Sequence, residues 1–268
     1  MSNPTHDLVL EPAIPVLGTP LVPTTYDALI GRLRARPKDA SAVALSFVNT
    51  QIVSMRRADP AFHSATAGID CFLPDGMPLV WCMNRAGAGL RDRVFGPEFM
   101  RRALAAETGS QTHYLLGGSA ECAELLRQRA AVEWPAVRFV GSYHGRCAED
   151  GRLGASGAEE DFVFRELRQL RPDWIWIGMG EGRQNALLAR IRKEFNFGVW
   201  LGVGCALDML AGLQKVPPAW MQRAGLSWLY RWRQEPRRLT GRYLKYNTQF
   251  LVQLLIESIL PEPERPPD

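Results

Sequence analysis

This sequence is short of histidine, has no paired cysteines and holds no long uninterrupted apolar run, and each shortage removes a class of protein. Four histidines in 268 residues, none with a second at ligand spacing, offer no His-based metal site, and no Asp-x-Asp pair stands in for one. The five cysteines, Cys71, Cys82, Cys122, Cys147 and Cys205, are odd in number, widely spread and without a CxxC. That pattern speaks against a disulfide framework or a zinc site and for reduced thiols in a cytoplasmic protein. No window reaches the roughly 18 apolar residues of a membrane span. The best one, 250–260, is short and contains Gln253 and Glu257. The first twenty residues carry Asp7, Glu11 and several prolines where a secretory signal needs a basic start and an apolar centre. A Gly-x-Ser-x-Gly elbow and a Walker lysine are also missing. The first strand lacks the GxGxxG, and the second the terminal acid, of a nicotinamide-dependent oxidoreductase, which is thereby discounted.

What is present suits a globular α/β protein. The composition is 46% hydrophobic and 22% charged, and 32 Lys plus Arg against 28 Asp plus Glu leave a net charge of +4, too small by itself to imply nucleic acid. A strand pair around Gly18 is predicted within 14–21, and Thr24 with Asp27 three residues later reads as the cap of a helix over 26–34. Bounded apolar runs suited to buried strands then recur at 42–48, 69–73, 113–116, 137–140, 174–177 and 199–203. Helical spacing fills the intervals at 51–57, 97–106, 120–131, 159–170 and 183–195. Strand alternating with helix predicts a doubly wound, mostly parallel, Rossmann-like sheet.

Ligands of such sheets bind beyond the carboxyl ends of the strands, so the loops there are the candidate site. Asp75, in Leu73-Pro74-Asp75-Gly76, follows a strand directly, with Gly76 allowing a sharp turn. It is either a general base or an ordinary turn aspartate. Asp70 competes but falls inside the strand and ranks lower. Gly117-Gly118-Ser119 joins strand to helix, as a phosphate cradle or simply a tight turn. The 180–184 loop offers Gly180, Arg183 and Gln184 at the opening of a helix, and Asp208 falls early on the helix after Gly202-Val203-Gly204. His144, in Gly141 to Gly145, is a substrate contact or a solvated loop histidine.

Composition changes near Lys215. Between 215 and 245 stand eight basic residues and one acid, Glu235, interleaved with Trp220, Trp228, Tyr230, Trp232 and Tyr243. From Leu239 to Leu255 apolar residues recur at helical spacing, giving a C-terminal basic, aromatic, amphipathic helical appendage that is either membrane contact or core. The expected organisation is a core over 14–214, an appendage over 215–260 and flexible ends at 1–13 and 261–268.

Taken in order, these segments resemble the WecG/TagA/CpsF family, glycosyltransferase family 26, from about Val16 to Phe250. The resemblance rests on Val16-Leu17-Gly18-Thr19-Pro20, the Asn49 loop, Leu73 to Gly76, Asp92-Arg93-Val94-Phe95-Gly96 and Tyr114 to Gly118. It continues through Gly141 to Gly145, Gly178 to Gln184, Gly202 to Gly212, and Trp228-Leu229-Tyr230-Arg231 with Glu235-Pro236. It implies an inverting, metal-independent transferase with no cofactor. The enzyme would move a hexose or N-acetylhexosamine from a UDP-sugar to a polyprenyl-diphosphate-linked saccharide in surface polysaccharide assembly. By the same resemblance Asp75 is the base. Asn49, Arg93, Arg183, Gln184 and Asp208 are pocket residues, with Thr50, Gly117, Gly118, His144 and Gly180 added from the loops. Arg231, Arg238 and Arg242 close over the site and hold diphosphate. The expected location is the inner face of the bacterial plasma membrane, on anionic lipid, with no nucleic-acid partner and with room for a homo-oligomer.

Departures from the family pattern cluster around the pocket. Phe47-Val48-Asn49 lacks the usual threonine, for which Ser46 or Thr50 is the candidate substitute, Gly182-Arg183-Gln184-Asn185 replaces Pro-Lys-Gln-Glu, and Glu98 replaces an aspartate. A non-catalytic, membrane-associated scaffold of the same fold is the alternative these changes allow.

Overall fold

The computed structural model describes residues 11–259, apart from the side chains of Glu181 and Arg238. Most of the two ends expected to be flexible therefore lies outside the described residues; residues 11–13 are exposed coil. The strands are β1 (Ile14–Val16), β2 (Thr19–Leu21), β3 (Val43–Val48), β4 (Cys71–Pro74), β5 (Thr112–Gly117), β6 (Arg138–Tyr143), β7 (Trp174–Gly178) and β8 (Val199–Gly202). They form one sheet in the order β1-β2-β4-β3-β8-β7-β5-β6. Only the β1–β2 hairpin is antiparallel; every other pair runs parallel.

Both faces of the strands are apolar, which is why both are covered. In β3, Val43, Leu45 and Phe47 point into one hydrophobic layer while Ala44 and Val48 point into the other. In β7, Trp174 and Trp176 face the first layer, and Ile175 and Ile177 the second. The first layer is closed by α1 (Tyr26–Arg34), α5 (Gly96–Ala105), α6 (Ala120–Glu133) and α9 (Ala206–Leu210). The second is closed by α2 (Thr50–Ala58), α4 (Met77–Arg85), α7 (Gly157–Leu170) and α8 (Glu181–Glu194), with α3 (Pro60–Ala65) beside α2. Two short helices, α10 (Ala219–Arg223) and α11 (Ser227–Gln234), then lead into α12 (Pro236–Ile259), which packs along α2. Leu239 and Phe250 are its buried anchors.

Three local expectations need correction. The cap of α1 is Thr25, whose hydroxyl accepts from Ala28 N–H, rather than Thr24; Asp27 sits in the first turn, where a carboxylate complements the helix dipole. Two helices unforeseen in the sequence, α3 and α4, each open with a proline in the first turn, where its missing N–H costs nothing. Gly76 has φ −144°, extended backbone that any residue adopts, so the turn after β4 does not depend on glycine.

Candidate active site

The ends of β3, β4, β7 and β8 lie side by side at the carboxyl edge, and the helices after residue 215 return across them. Between the two lies a cavity of about 1160 Å³. Nine of the candidate residues line it: Asn49, Thr50, Asp75, Arg93, Gly180, Gln184, Asp208, Arg231 and Arg242. Residues as far apart in the chain as Asn49 and Arg242 meet here because the parallel sheet brings its loops to one edge and the C-terminal helices return over it.

Asp75 is set by backbone before its side chain is considered. Its N–H donates to Val48 O at 2.8 Å, extending the β3–β4 ladder by one step, and Val94 N–H donates to Pro74 O at 3.0 Å. The carboxylate is one-fifth exposed and faces the cavity. Asp70 is at the opposite edge of the sheet, accepting from Ala44 N–H and from Arg192 at 2.8 Å each, so its work is structural.

Arg93 is buried and ties three parts of the site together. Its Nη1 donates to the Asp75 carbonyl at 3.2 Å and lies 3.9 Å from the Asp75 carboxylate. Its Nη2 donates to Ser227 Oγ at 3.0 Å and reaches Gln222 Oε1 at 3.5 Å, while the guanidinium stacks on Phe95 at 4.4 Å. One cation thus joins the loop after β4 to α10 and α11. Tyr26 holds the same segment from below, accepting from Phe95 N–H at 2.9 Å; burial pushes its hydroxyl up to about 12.

Several polar candidates shape the cavity rather than offer a loose side chain to it. Asn49 caps α2, its Oδ1 accepting from Gln51 and Ile52 N–H. Thr50 donates to Asn247 of α12 at 3.2 Å. Gln184 is fully buried and clamps the β8 loop, donating to Gly202 O at 3.2 Å and accepting from Gly204 N–H at 3.0 Å. Asp208 stands beside Cys122, whose thiol is pushed up to about 12 by burial and by that carboxylate. Ser46, a candidate for the missing threonine, is buried and donates to Asn185 Oδ1 away from the cavity lining. Glu98 binds Arg101 and Arg102 on the outside of α5, and the Arg101 hydrogen bond holds its carboxyl below the usual range.

Four candidates lie outside the cavity. Gly117, with φ +118°, is where β5 passes so close to β7 that a Cβ would sit 2.4 Å from Gly178 O, and Gly118 N–H donates to that same carbonyl at 3.2 Å. These glycines serve strand packing. His144 is exposed beyond β6, and Arg183 turns outward to Glu149 at 2.8 Å. The side chain of Arg238 lies outside the described residues.

The sequence reading missed Ser227 and Gln222 as partners of Arg93, and Lys215, Trp81, Tyr246 and Asn247 as part of the lining. For all of these but Trp81, which lies on α4, a basic and aromatic tail is the one signal, and it does not say which residues turn inward. Arg85, Arg93, Lys215, Arg231 and Arg242 on the lining outnumber Asp75, Asp208 and Glu235, so an anionic ligand is favoured with carboxylates still beside it. Among the described residues no group of three or more His, Cys, Asp or Glu is placed to hold a metal ion.

A family model described as "Glycosyl transferase WecG/TagA/CpsF family" matches residues 14–263. The chain is also similar to N-acetylglucosaminyldiphosphoundecaprenol N-acetyl-beta-D-mannosaminyltransferases of Staphylococcus aureus. Those of strains NCTC 8325/PS 47 and MRSA252 are each 24% identical over 221 residues, covering 81% of this chain and 83% of the relative. The family match spans the whole sheet, the loops that carry Asp75 and Arg93, and the helices that close over them. The chain belongs to the WecG/TagA/CpsF family and is a glycosyltransferase.

Proposed function

We propose that this enzyme transfers a hexose or N-acetylhexosamine from a UDP-sugar to a saccharide carried on a polyprenyl diphosphate, with inversion at the anomeric carbon. The observation that carries the reading is the sharing of one cavity by the Asp75 carboxylate, from the sheet edge, and Arg231 and Arg242, from the C-terminal helices. Asp75 takes the proton of the acceptor hydroxyl as its oxygen bonds to the anomeric carbon and the bond to the UDP oxygen breaks. Arg231 and Arg242, with Arg238 by family resemblance, neutralise the diphosphate that leaves. Arg93 positions Asp75 through its backbone carbonyl and holds α10 and α11 over the site. The activity for which the relatives are named, on an N-acetylglucosaminyldiphosphoundecaprenol acceptor, supports the acceptor class.

Residues 14–214 then act as the catalytic core and 215–260 as an appendage that completes the site and rests on anionic lipid at the inner face of the plasma membrane. No helix among the described residues is long and apolar enough to cross a membrane. The appendage instead presents Trp220, Leu244, Leu251 and Ile259 to solvent beside eight basic residues and one acid. Near an anionic surface each basic residue contributes on the order of 1 kcal/mol, so several suffice for reversible attachment that weakens with salt.

Titration with a panel of UDP-sugars, followed by UDP release with an N-acetylglucosaminyl-diphospho-lipid acceptor, tests the reading. Saturable binding of one UDP-sugar and acceptor-dependent UDP release are expected. Binding of none, or release that ignores the acceptor, would overturn it.

A further inference from the structure

We propose that Cys122 is a positioning residue for the donor site: from behind the cavity wall its thiol holds the Asp208 carboxylate toward a vicinal diol of the nucleotide sugar. This rests on the UDP-sugar reading and adds a residue to it. Asp208 is on the lining of the cavity, and Cys122 is not.

Asp208 is fixed by its backbone and left open at its carboxylate. Its carbonyl accepts from Leu213 N–H at 2.9 Å and from Gln214 N–H at 3.1 Å, which ties α9 to the turn that follows it. Among the described residues no arginine or lysine pairs with its side chain, and the Cys122 thiol is its hydrogen-bond partner. Phosphate is repelled by such a group, whereas sugar hydroxyls are neutral donors suited to its free lone pairs. Asp208 is also no second base beside Asp75. The ends of β4 and β8 are separated by β3, two strand spacings or roughly 9–10 Å.

Cys122 is held from several sides. It lies in the first turn of α6, where its N–H donates to Ser119 Oγ at 3.0 Å, and it is 1% exposed. A Cβ on Gly118 would meet Cys122 Sγ at 3.1 Å and Leu207 Cδ1 at 3.8 Å, so the glycine turn after β5 seats the thiol against α9. A thiol at a helix start is ordinarily biased toward thiolate. Here burial, and after it the Asp208 carboxylate, pushes the thiol up to about 12, so it stays protonated and serves as a donor rather than a nucleophile. A carboxylate already engaged at one oxygen has less freedom to lose when a ligand binds at the other.

Steady-state kinetics with the accepted UDP-sugar, and calorimetric titration with UDP and 2′,3′-dideoxyuridine diphosphate, test this on the full chain. Cys122→Ala should raise KM for the UDP-sugar by about fivefold or more and leave kcat within about twofold. Cys122→Ser, which keeps a hydrogen-bond donor, should restore most of the loss. On an Asp208→Ala background the Cys122→Ala change should add nothing, because its effect runs through that carboxylate. If the diol is that of the ribose, Cys122→Ala weakens UDP but leaves the dideoxy compound as it was; if it belongs to the transferred sugar, UDP affinity is kept. Either result supports the assignment and names the hydroxyls. Unchanged KM in Cys122→Ala would overturn it, as would a loss that Cys122→Ser fails to restore or that persists in full on the Asp208→Ala background. If the unaltered protein binds neither UDP nor any UDP-sugar, the donor reading fails and this inference with it.

Discussion

Tryptophan is used in opposite ways by the sheet and by the C-terminal helices. Trp174, Trp176 and Trp200 are wholly buried, and each indole N–H has a partner, Gln111 Oε1, His113 Nδ1 and Phe197 O respectively. Trp220, Trp228 and Trp232 are between 38% and 62% exposed. The strands are covered on both faces, so every side chain must find a place in a packed layer. The C-terminal helices form one layer over a cavity, and α12 is anchored on Leu239 and Phe250, each worth about 1.5–3 kcal/mol of burial. Stability therefore resides in the sheet, while the attached helices supply charge, closure and an apolar surface.

Removal of residues 220–268 should have the largest effect. Transfer should fall to background and the protein should leave anionic vesicles, while circular dichroism still reports a cooperatively melting α/β core. Full activity after truncation would make the tail an ordinary part of the core. Next in size, Trp176→Ala should cost about 3–5 kcal/mol in denaturant unfolding, because the emptied site cannot collapse within a packed layer. Trp220→Ala, at a position 62% exposed, should stay within about 0.5 kcal/mol, as surface replacements do. Equal losses at the two positions would erase the distinction.

Asp75→Asn keeps the size and the backbone bonds of the turn but removes the base. Turnover should drop by about 10² or more with UDP-sugar affinity largely kept, and unchanged turnover would remove Asp75 from the role. Ser227→Ala takes one partner from the buried Arg93 guanidinium, a loss of about 1–3 kcal/mol. It should lower turnover severalfold through Asp75 while the melting temperature falls by a few degrees; a fall in melting temperature with turnover kept would make the contact merely structural. The smallest effect belongs to chelators. With arginines placed for the diphosphate, activity in excess EDTA should equal that of untreated enzyme, and rescue by magnesium or manganese would contradict this.

The parallel sheet was legible because buried strands read as short apolar runs and the helices between them carry charge on one side. The helix α4 gave no such signal. Met77–Arg85 carries proline at its second residue and charge only at its last, so its apolar face has no polar counterpart to mark a period. The site was legible where chemistry follows a strand end, as at Asp75, and misleading where a residue served packing, as at Gly117 and Gly118. Arg183 and Gln184 are neighbours in the chain, yet helical geometry sends one outward to Glu149 and the other inward to Gly204. No local pattern could assign Ser227 to Arg93, because that contact depends on helices returning across 134 residues of sequence.

If the sheet supplies the base and the C-terminal helices supply the diphosphate site within one cavity, the two roles of the tail separate by substitution. The most direct test measures turnover and vesicle binding in parallel for the double variant Arg231→Ala, Arg242→Ala. Turnover should fall by about 10² or more, as for removal of preorganised donors from a departing charge, with binding to anionic vesicles nearly kept. Turnover that persists while vesicle binding collapses would show that these arginines face lipid, and that the cavity is not closed in the way described.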